Sequence, residues 1–273
     1  MGNELSKALG VPAILTNKAG GGGAVGAEYV ARAEPDGYTV LACEDNAFNI
    51  LPFLTPGLHY KLSDFIPLCK YATSSNLILV RKGSPFKSLA DIIADAKKNP
   101  GTLTYGIAAV GTQGQLSVEV IKLQTGIDIA YLAYKSGGEV MTSLLGGHVN
   151  FACTGLSPAV GLLRSGDLRA LASIFGKISG FPNVPTMEEL GYPKATFGVW
   201  IGYYLPKGTP QPIVEKLAAV FEKAMKNPNP VVMKNLEASG LVLDYQDGTS
   251  TAKLLSEDIK IYEDVLRKAN IIK

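Results

Sequence analysis

The chain has 273 residues, of which 47% are hydrophobic and 18% are charged, and its formal net charge is +2. This length and composition suit two domains of ordinary size and exclude a disordered, highly charged chain. The Lys and Arg residues are scattered and do not form the basic surface that nucleic acids require, so no nucleic-acid partner is expected.

The first part of the chain alternates helices and strands that are separated by glycine and proline turns. In chain order we predict a helix at 3–9, a strand at 12–16, a glycine loop at 17–23, a helix at 24–33, a strand at 38–43, a short helix ending near Pro52 or Pro56, strands at 65–72 and 76–81, and a helix at 88–99. Ser88 caps this last helix with Asp91 at its third position, and Pro100-Gly101 end it.

The second part continues the same alternation. We predict strands at 102–106, 129–133, 149–153, 168–175, 196–205 and 241–245, a helix that begins at Gln115, and helices at 139–145, 158–164, 211–226, 231–239 and 251–270. Alternating elements of this length predict an α/β fold with mainly parallel sheets that helices cover on both faces. The order predicts two lobes with a central cleft, formed by residues 1–101 with 200–273 and by residues 102–199.

The segment 105–123 has the pattern of an anion site. A short strand leads into a loop of small residues with Gly111, Thr112 and Gly114, and a helical pattern begins at Gln115. Such a loop gathers free backbone N–H groups and the positive end of a helix dipole at one point. Thr112 is also a suitable N-cap, so a purely structural role of this loop stays open.

Three more strand-to-helix loops, at 44–46, 134–138 and 154–157, are expected at the same cleft, because ligands bind beyond the carboxyl ends of parallel strands. The candidate ligand-binding residues are Glu44, Asp45, Asn46, Ala108, Ala109, Gly111, Thr112, Gln113, Lys135, Thr154, Gly155, Ser157 and Trp200. Helix capping is the alternative role of Asp45, with Glu44 as the wall of the site, and core or hinge packing is the alternative role of Trp200.

The residues that usually bind metals or act as nucleophiles are few and dispersed. The chain has three cysteines, Cys43, Cys69 and Cys153, and two histidines, His59 and His148. None of these are spaced as metal ligands or as a disulfide framework, so we expect no metal site, no catalytic residue and no cofactor.

Several short motifs occur along the whole chain. They are Asn17-Lys18-Ala19-Gly20-Gly21 with Gly26-Ala27, Pro35-Asp36-Gly37-Tyr38-Thr39, Asn99-Pro100-Gly101, Tyr105-Gly106, Gly111-Thr112, Tyr134-Lys135, Leu144-Leu145-Gly146-Gly147, Leu168-Arg169-Ala170-Leu171-Ala172, Pro182-Asn183-Val184-Pro185-Thr186, Trp200, and Pro206-Lys207-Gly208-Thr209-Pro210. In this combination and order the chain resembles the substrate-binding proteins of tripartite tricarboxylate transporters, known as the TctC or Bug family.

The resemblance implies a two-lobed, type-II periplasmic-binding-protein fold that closes around a small organic carboxylate. In the family, a loop after the first strand and the loop that matches Gly106 to Thr112 hold the ligand carboxylate through backbone amides and ordered water. The implied partners are this carboxylate and the membrane components of the transporter. A monomer in the periplasm or another extracytoplasmic location is implied for the full-length protein.

Three departures from the family pattern lead to further expectations. Mature family members begin upstream with a strand and a Pro/Gly-rich loop, whereas this chain starts inside the next helix and shows no export signal; we therefore expect half of the carboxylate clamp and a core strand to be absent. Glu44-Asp45 stands where small hydroxyl residues are usual, which disfavours a ligand with a second carboxylate there and favours an ammonium group or another hydrogen-bond donor, as in an amino acid. Thr154-Gly155 stands where an acidic or amide pair is common.

A nucleotide-dependent α/β enzyme is the alternative function. Residues Gly21 to Gly26 fit G-x-G-x-x-G between a predicted strand and a predicted helix, and Glu44 ends the next strand. However, residues 17–20 separate the strand from the first glycine, where the fingerprint requires a tight turn. No catalytic motif accompanies the glycines, so a binding protein without enzymatic activity is the preferred prediction.

Overall fold

The computed structural model describes residues 2–18, 20–268 and 271–272. In chain order the helices are α1 Gly2–Leu9, α2 Ala24–Ala31, α3 Asn46–Asn49, α4 Leu51–Leu54, α5 Leu89–Lys98, α6 Gln113–Thr125, α7 Gly137–Gly146, α8 Val160–Ser165, α9 Gln211–Lys226, α10 Pro230–Ala238 and α11 Gly248–Lys268. The strands are β1 Leu41–Glu44, β2 Phe65–Ser74, β3 Asn76–Arg81, β4 Leu103–Ile107, β5 Ile129–Ala133, β6 Phe151–Gly155, β7 Leu168–Ser173, β8 Val199–Pro206 and β9 Val242–Asp247.

The chain folds into two compact units. The first unit contains the described residues up to Thr73 together with Trp200–Leu236 and Val242–Asp264. The second unit contains Ser74–Val199, Glu237–Leu241 and the described residues that follow Asp264. Each unit has its own sheet, with strand order β1-β8-β2-β9 in the first and β5-β4-β6-β3-β7 in the second.

The expected lobe boundary at residue 101 assigns residues 74–101 to the first lobe, whereas the structure has them in the second unit. These residues belong to the second unit, because β3 pairs with both β6 and β7 in the five-stranded sheet. The loop after β3 is fastened to the same unit, since the Lys82 N–H donates to the Asp167 carbonyl at 2.8 Å. The other expected crossing, close to Trp200, coincides with the change of unit at that residue.

Both the parallel and the antiparallel direction occur in the structure, where mainly parallel sheets were expected. In the second unit β4 runs parallel to β5 and β6, but β3 runs antiparallel to β6 and β7. In the first unit β1 is antiparallel to β8, and β2 is antiparallel to β9. The pattern of βα alternation fails at β3, because this strand follows β2 directly and has no crossover helix before it.

The predicted strand at 12–16 is also wrong. This segment is not assigned to any strand, and Ile14 and Leu15 are 86% and 81% exposed. Its β-forming residues lack a neighbouring ladder among the described residues, and a strand requires the hydrogen bonds of a partner. The predicted strands at 76–81 and 129–133 and the helix at 211–226 have the predicted ends, and the other elements occur with shifted ends. The last two residues predicted for the helix 251–270 lie outside the described part of the chain.

Each unit is organised around a separate core. The core of the first unit includes a cluster of aromatic rings, in which Phe48 packs against Tyr60, Phe65 and Tyr204 with ring centroids 4.7 to 6.1 Å apart. In the second unit Tyr105 of β4 stacks on Phe151 of β6 at 5.2 Å. Edge-to-face and stacked pairs of this kind add to the stabilisation from burial, so both sheets are firm supports for the loops at their ends.

Candidate functional site

Three of the four loops predicted to bind the ligand, those after β4, β5 and β6, meet at one edge of the second unit's sheet. The parallel strands β4, β5 and β6 all end there, and we call this the carboxyl edge. The antiparallel strand β3 begins at the same edge, where Asn76 lies opposite Gly155 in the register. Nine predicted site residues lie on these strand ends and on the loops that follow them: Ala108, Ala109, Gly111, Thr112, Gln113, Lys135, Thr154, Gly155 and Ser157.

The loop between β4 and α6 is held by the first turn of α6. The Thr112 hydroxyl caps the helix by accepting from the Gln115 N–H at 3.3 Å. The Gln115 side chain reaches back and accepts from the Gly111 N–H at 2.8 Å, so the Gly111 amide is engaged within the loop. The Gly114 N–H has no acceptor among the described residues, as expected for an amide in the first turn of a helix. A backbone donor therefore remains at this helix end.

The start of α7 forms the opposite side of the carboxyl edge. Ser136 caps α7 by accepting from the Glu139 N–H at 3.3 Å, and the Glu139 carboxylate accepts from the Lys135 N–H at 3.1 Å. A Cβ atom on Gly137 would lie 2.7 Å from Pro158 Cγ and 3.5 Å from Thr154 Oγ1. Glycine at this position therefore lets the helix end approach the end of β6 closely.

The two helices approach the edge from opposite faces of the sheet. On one face the Tyr105 hydroxyl donates to Glu119 of α6 at 3.1 Å, and Gly114 of α6 packs against Cys153. On the other face Val140 of α7 packs on Gly106, the next residue of β4. Because neighbouring residues of a strand point to opposite faces, α6 and α7 aim their positive ends at the same edge from both sides.

The polar side chains at this edge suit binding better than chemistry. Thr154 is only 5% exposed, and its hydroxyl makes no hydrogen bond to the part of the chain that the structure describes. The Lys135 side chain is exposed and makes no ion pair with a described residue. Burial raises the pKa of the Cys153 thiol far above its ordinary value, so this cysteine stays protonated and is a poor nucleophile. The arrangement can attract and hold an anion.

The structure places the other predicted site residues in the first unit. Glu44 is exposed at the end of β1, although the surrounding protein displaces water from its carboxyl group and raises its pKa. Asn46 is buried, and its side-chain amide donates to the Gly22 carbonyl at 3.1 Å. Asn46 therefore connects α3 to the glycine loop at 20–23.

Asp45 does not have the capping role that was its alternative interpretation. Its side chain is completely buried, and its carboxylate accepts from the Trp200 N–H at 3.0 Å and from the Asn49 side chain at 2.7 Å. It occupies the N-cap position of α3, but its side chain does not accept from a helix N–H. Its backbone N–H donates to the Trp200 carbonyl at 2.9 Å. In this structure Asp45 fastens β8 to α3.

Trp200 has the packing role that was its alternative interpretation. It is 4% exposed and belongs to the core of the first unit. Its indole Nε1 donates to the Asp258 carboxylate of α11 at 3.0 Å. Burial raises the pKa of Asp258, while the hydrogen bond from Trp200 and the charge of Lys70 oppose this effect. The Trp200 ring is therefore held on both sides, by core packing and by its hydrogen bond to α11.

The glycine loop does not reproduce the dinucleotide fingerprint. Residues Gly21–Gly23 form a turn of 3-10 helix before α2, and Gly20 to Gly23 all have positive φ angles. The segment at 12–16 is not a strand, so the strand-turn-helix unit that would hold a pyrophosphate is absent from the described residues. Ala19, which belongs to the sequence motif at 17–21, lies outside the described residues. The loop is instead held by Asn46.

Sequence reasoning missed two polar residues at the carboxyl edge. Gln115 folds the β4–α6 loop through its bond to Gly111, and Asn76 lies at the start of β3. The sequence signal for Asn76 is a polar residue directly before an apolar run, but its position depends on the antiparallel direction of β3. Across the described residues, no group of three or more His, Cys, Asp or Glu side chains could hold a metal ion, and none of the helices combines the length and apolar character of a membrane span.

Comparisons with known proteins agree on one family. The family model described as "Tripartite tricarboxylate transporter family receptor", TctC, matches residues 1–271. Protein BugT of Bordetella pertussis is 30% identical over 271 residues, which cover 98% of this chain and 82% of BugT.

Two solved structures with bound ligands are similar in fold. An adipate-bound protein of R. palustris is 28% identical, with a TM-score of 0.89 over 98% of this chain and 90% of that chain. MatC from Rhodopseudomonas palustris with bound malate is 28% identical, with a TM-score of 0.84 over 97% of this chain and 91% of that chain. The expected periplasmic-binding-protein fold is thereby confirmed, and the chain belongs to the family of tripartite tricarboxylate transporter receptors.

Proposed function

We propose that this protein captures a small organic carboxylate at the carboxyl edge of its second unit and performs no chemistry on it. The observation that carries the proposal is the approach of α6 and α7 to this edge from opposite faces of the sheet. Two helix N-termini concentrate positive potential and backbone N–H groups where a carboxylate would lie. A neutral or cationic ligand gains nothing from this field.

Residues of the edge take different parts in the proposed binding. The free N–H of Gly114 and the backbone N–H groups of Ala108, Ala109 and Thr112 donate to the carboxylate, whereas the Gly111 N–H stays bonded to Gln115. The Thr154 hydroxyl adds a donor from the face of α7. Lys135 attracts the anion as an exposed cation. The similar proteins with adipate and malate support a carboxylate as the class of ligand.

The biological setting of the proposal follows from the family. As a receptor of a tripartite tricarboxylate transporter, the protein hands its ligand to the membrane components of that transporter. We propose that it acts as a monomer in the periplasm or an equivalent extracytoplasmic space. A contribution of Glu44, Asp45, Asn46 or Trp200 to ligand binding stays a prediction.

A thermal-shift screen tests the proposal. The panel contains sodium salts of mono-, di- and tricarboxylates, aromatic acids and amino acids, and each hit is repeated with its uncharged amide. A true ligand at about 100 times its Kd should stabilise the protein by roughly 2.7 kcal/mol. The hit is then incubated with the protein and followed by NMR for turnover.

Stabilisation by at least one acid, its loss with the amide, and an unchanged ligand spectrum are the expected results. The carboxylate proposal fails if no acid stabilises the protein or if the amides act equally well. Conversion of the ligand into a product would contradict the claim that the protein performs no chemistry.

A further inference from the structure

Asn76 lies where the first turn of α6 meets the carboxyl edge. It is the first residue of β3 and faces Gly155, the last residue of β6, in the antiparallel register. Its side chain touches the helix, because a Cβ atom on Gly114 would lie 3.3 Å from Asn76 Cγ. The side-chain amide is therefore placed beside the free Gly114 N–H.

The backbone of Asn76 is firmly held, but its side chain is not. The Asn76 carbonyl accepts from the Ile174 N–H at 2.9 Å and from the Ser75 hydroxyl at 2.9 Å. The Ser75 hydroxyl also lies 2.9 Å from the Ser173 hydroxyl, so the start of β3 is fastened to the end of β7.

The Asn76 residue is only 7% exposed, yet its side-chain amide makes no hydrogen bond to any residue that the structure describes. A buried amide without a partner destabilises a protein, and such groups are rare in folded chains. Among the described residues, fully enclosed side-chain polar atoms without a partner occur at Asn49, Thr196 and Tyr204. The Asn76 amide is not one of them, so it is not fully enclosed. The Asn76 amide therefore keeps contact with solvent where β3 begins at the carboxyl edge.

We propose that Asn76 binds the ligand carboxylate by donating a hydrogen bond from its Nδ2 atom, next to the Gly114 N–H. This inference rests on the proposed function and names a ligand-binding residue from an element outside the strand-to-helix loops. The Asn76 amide is neutral, so it donates a hydrogen bond to the anion without adding a charge. The preference for an anion over a neutral ligand therefore comes from the helix dipoles. Ligand binding supplies the partner that the buried amide lacks.

Two substitutions of Asn76 and one control test the inference. Asn76→Leu keeps the approximate shape and removes the donor, and Asn76→Asp places a negative charge at the same point. Asn150→Asp is the control, since Asn150 is exposed before β6 at the opposite edge, where its Oδ1 accepts from the Thr104 N–H at 2.8 Å. Affinity is measured by isothermal titration with the acid that stabilises the wild type most.

We expect Asn76→Leu to weaken binding roughly tenfold to a hundredfold, the range for a hydrogen bond to a charged group. Asn76→Asp should weaken it further by repulsion, and Asn150→Asp should bind like the wild type. Since no hydrogen bond is lost in the ligand-free protein, Asn76→Leu should melt at the wild-type temperature or above it. A purely structural asparagine would instead lower the melting temperature.

The outcomes separate this inference from the proposed function. A wild type that binds no acid of the panel overturns the proposed function, and the inference with it. A wild type that binds, together with an Asn76→Leu variant of wild-type affinity, overturns the role of Asn76 alone. If Asn76→Leu fails to fold, an Asn76→Asp variant that binds with wild-type affinity likewise overturns the role of Asn76.

Discussion

At the scale of single residues, neighbouring carboxylates at 44 and 45 occupy opposite environments. Asp45 is fully buried and accepts from Trp200 and Asn49, whereas Glu44 is exposed. Burial with hydrogen-bond donors makes a side chain structural, and exposure leaves it free to act on a ligand. The pair thus allows a matched comparison of two carboxylates in adjacent positions.

Asp45→Ser should lower the free energy of unfolding by about 1–3 kcal/mol, because buried donors on Trp200 and Asn49 lose their acceptor. Glu44→Ser is the control and should change it by less than about 0.5 kcal/mol. Urea unfolding of the two variants measures both values. Equal stabilities would show that the bonds of Asp45 do not support the fold.

Glu44→Ser also tests the predicted effect of Glu44 on ligand choice. A carboxylate near the ligand disfavours a second carboxylate and favours an ammonium group by Coulomb interaction. Glu44→Ser should therefore improve the binding of dicarboxylates relative to amino acids of similar length, as measured by titration. An unchanged ranking would place Glu44 outside the binding site.

Asp258 should make stability depend on pH. Burial raises the pKa of this carboxyl above its ordinary value of 3.8, so the folded state favours the protonated form more than the unfolded state does. Its contribution to stability is fully present below 3.8 and is lost as the pH rises through the folded-state pKa.

Asp258→Asn keeps an oxygen acceptor for the Trp200 indole and removes the charge. The variant should be more stable than the wild type at neutral pH, and the difference should vanish at acidic pH near 3.8. Urea unfolding at the two pH values provides the test. A variant that is less stable at neutral pH would mean that attraction to Lys70 outweighs the cost of burial.

At the scale of elements, those with strong local signals were predictable. The helix α5 begins after Ser88, whose hydroxyl accepts from the Asp91 N–H at 3.2 Å while Asp91 accepts from the Ser88 N–H at 3.0 Å. This reciprocal pair was visible in the sequence because it involves residues only three positions apart. The strand at 12–16 failed for the opposite reason, since a strand depends on a partner that is distant in sequence.

The cap of α5 gives a quantitative test at this scale. Ser88→Ala removes the hydroxyl acceptor of the Asp91 N–H and should destabilise the protein by about 1 kcal/mol. Ser63→Ala is the control, because Ser63 is exposed and its hydroxyl makes no hydrogen bond to a described residue. Denaturant unfolding of both variants is the measurement. A loss of equal size in both would contradict the role of the cap.

At the scale of the whole molecule, the sequence predicted which loops of the second unit come together but not every residue among them. The loops after β4, β5 and β6 share an edge because the three strands are parallel, and strand-to-helix alternation predicts that arrangement. Asn76 escaped prediction because β3 enters the sheet in the antiparallel direction. The burial of Asp45 and Trp200 depends on tertiary contacts between β8, α3 and α11, which local patterns do not encode.

The central claim is that a carboxylate binds at the carboxyl edge of the second unit. Mapping of backbone amide chemical shifts in isotope-labelled protein, during titration with the best acid of the screen, tests it most directly. The largest shift changes are expected at residues 108–114, 135–139 and 154–157, with saturation at one ligand for each chain. Largest changes at the glycine loop 20–26 of the first unit, with none at the carboxyl edge, would contradict it.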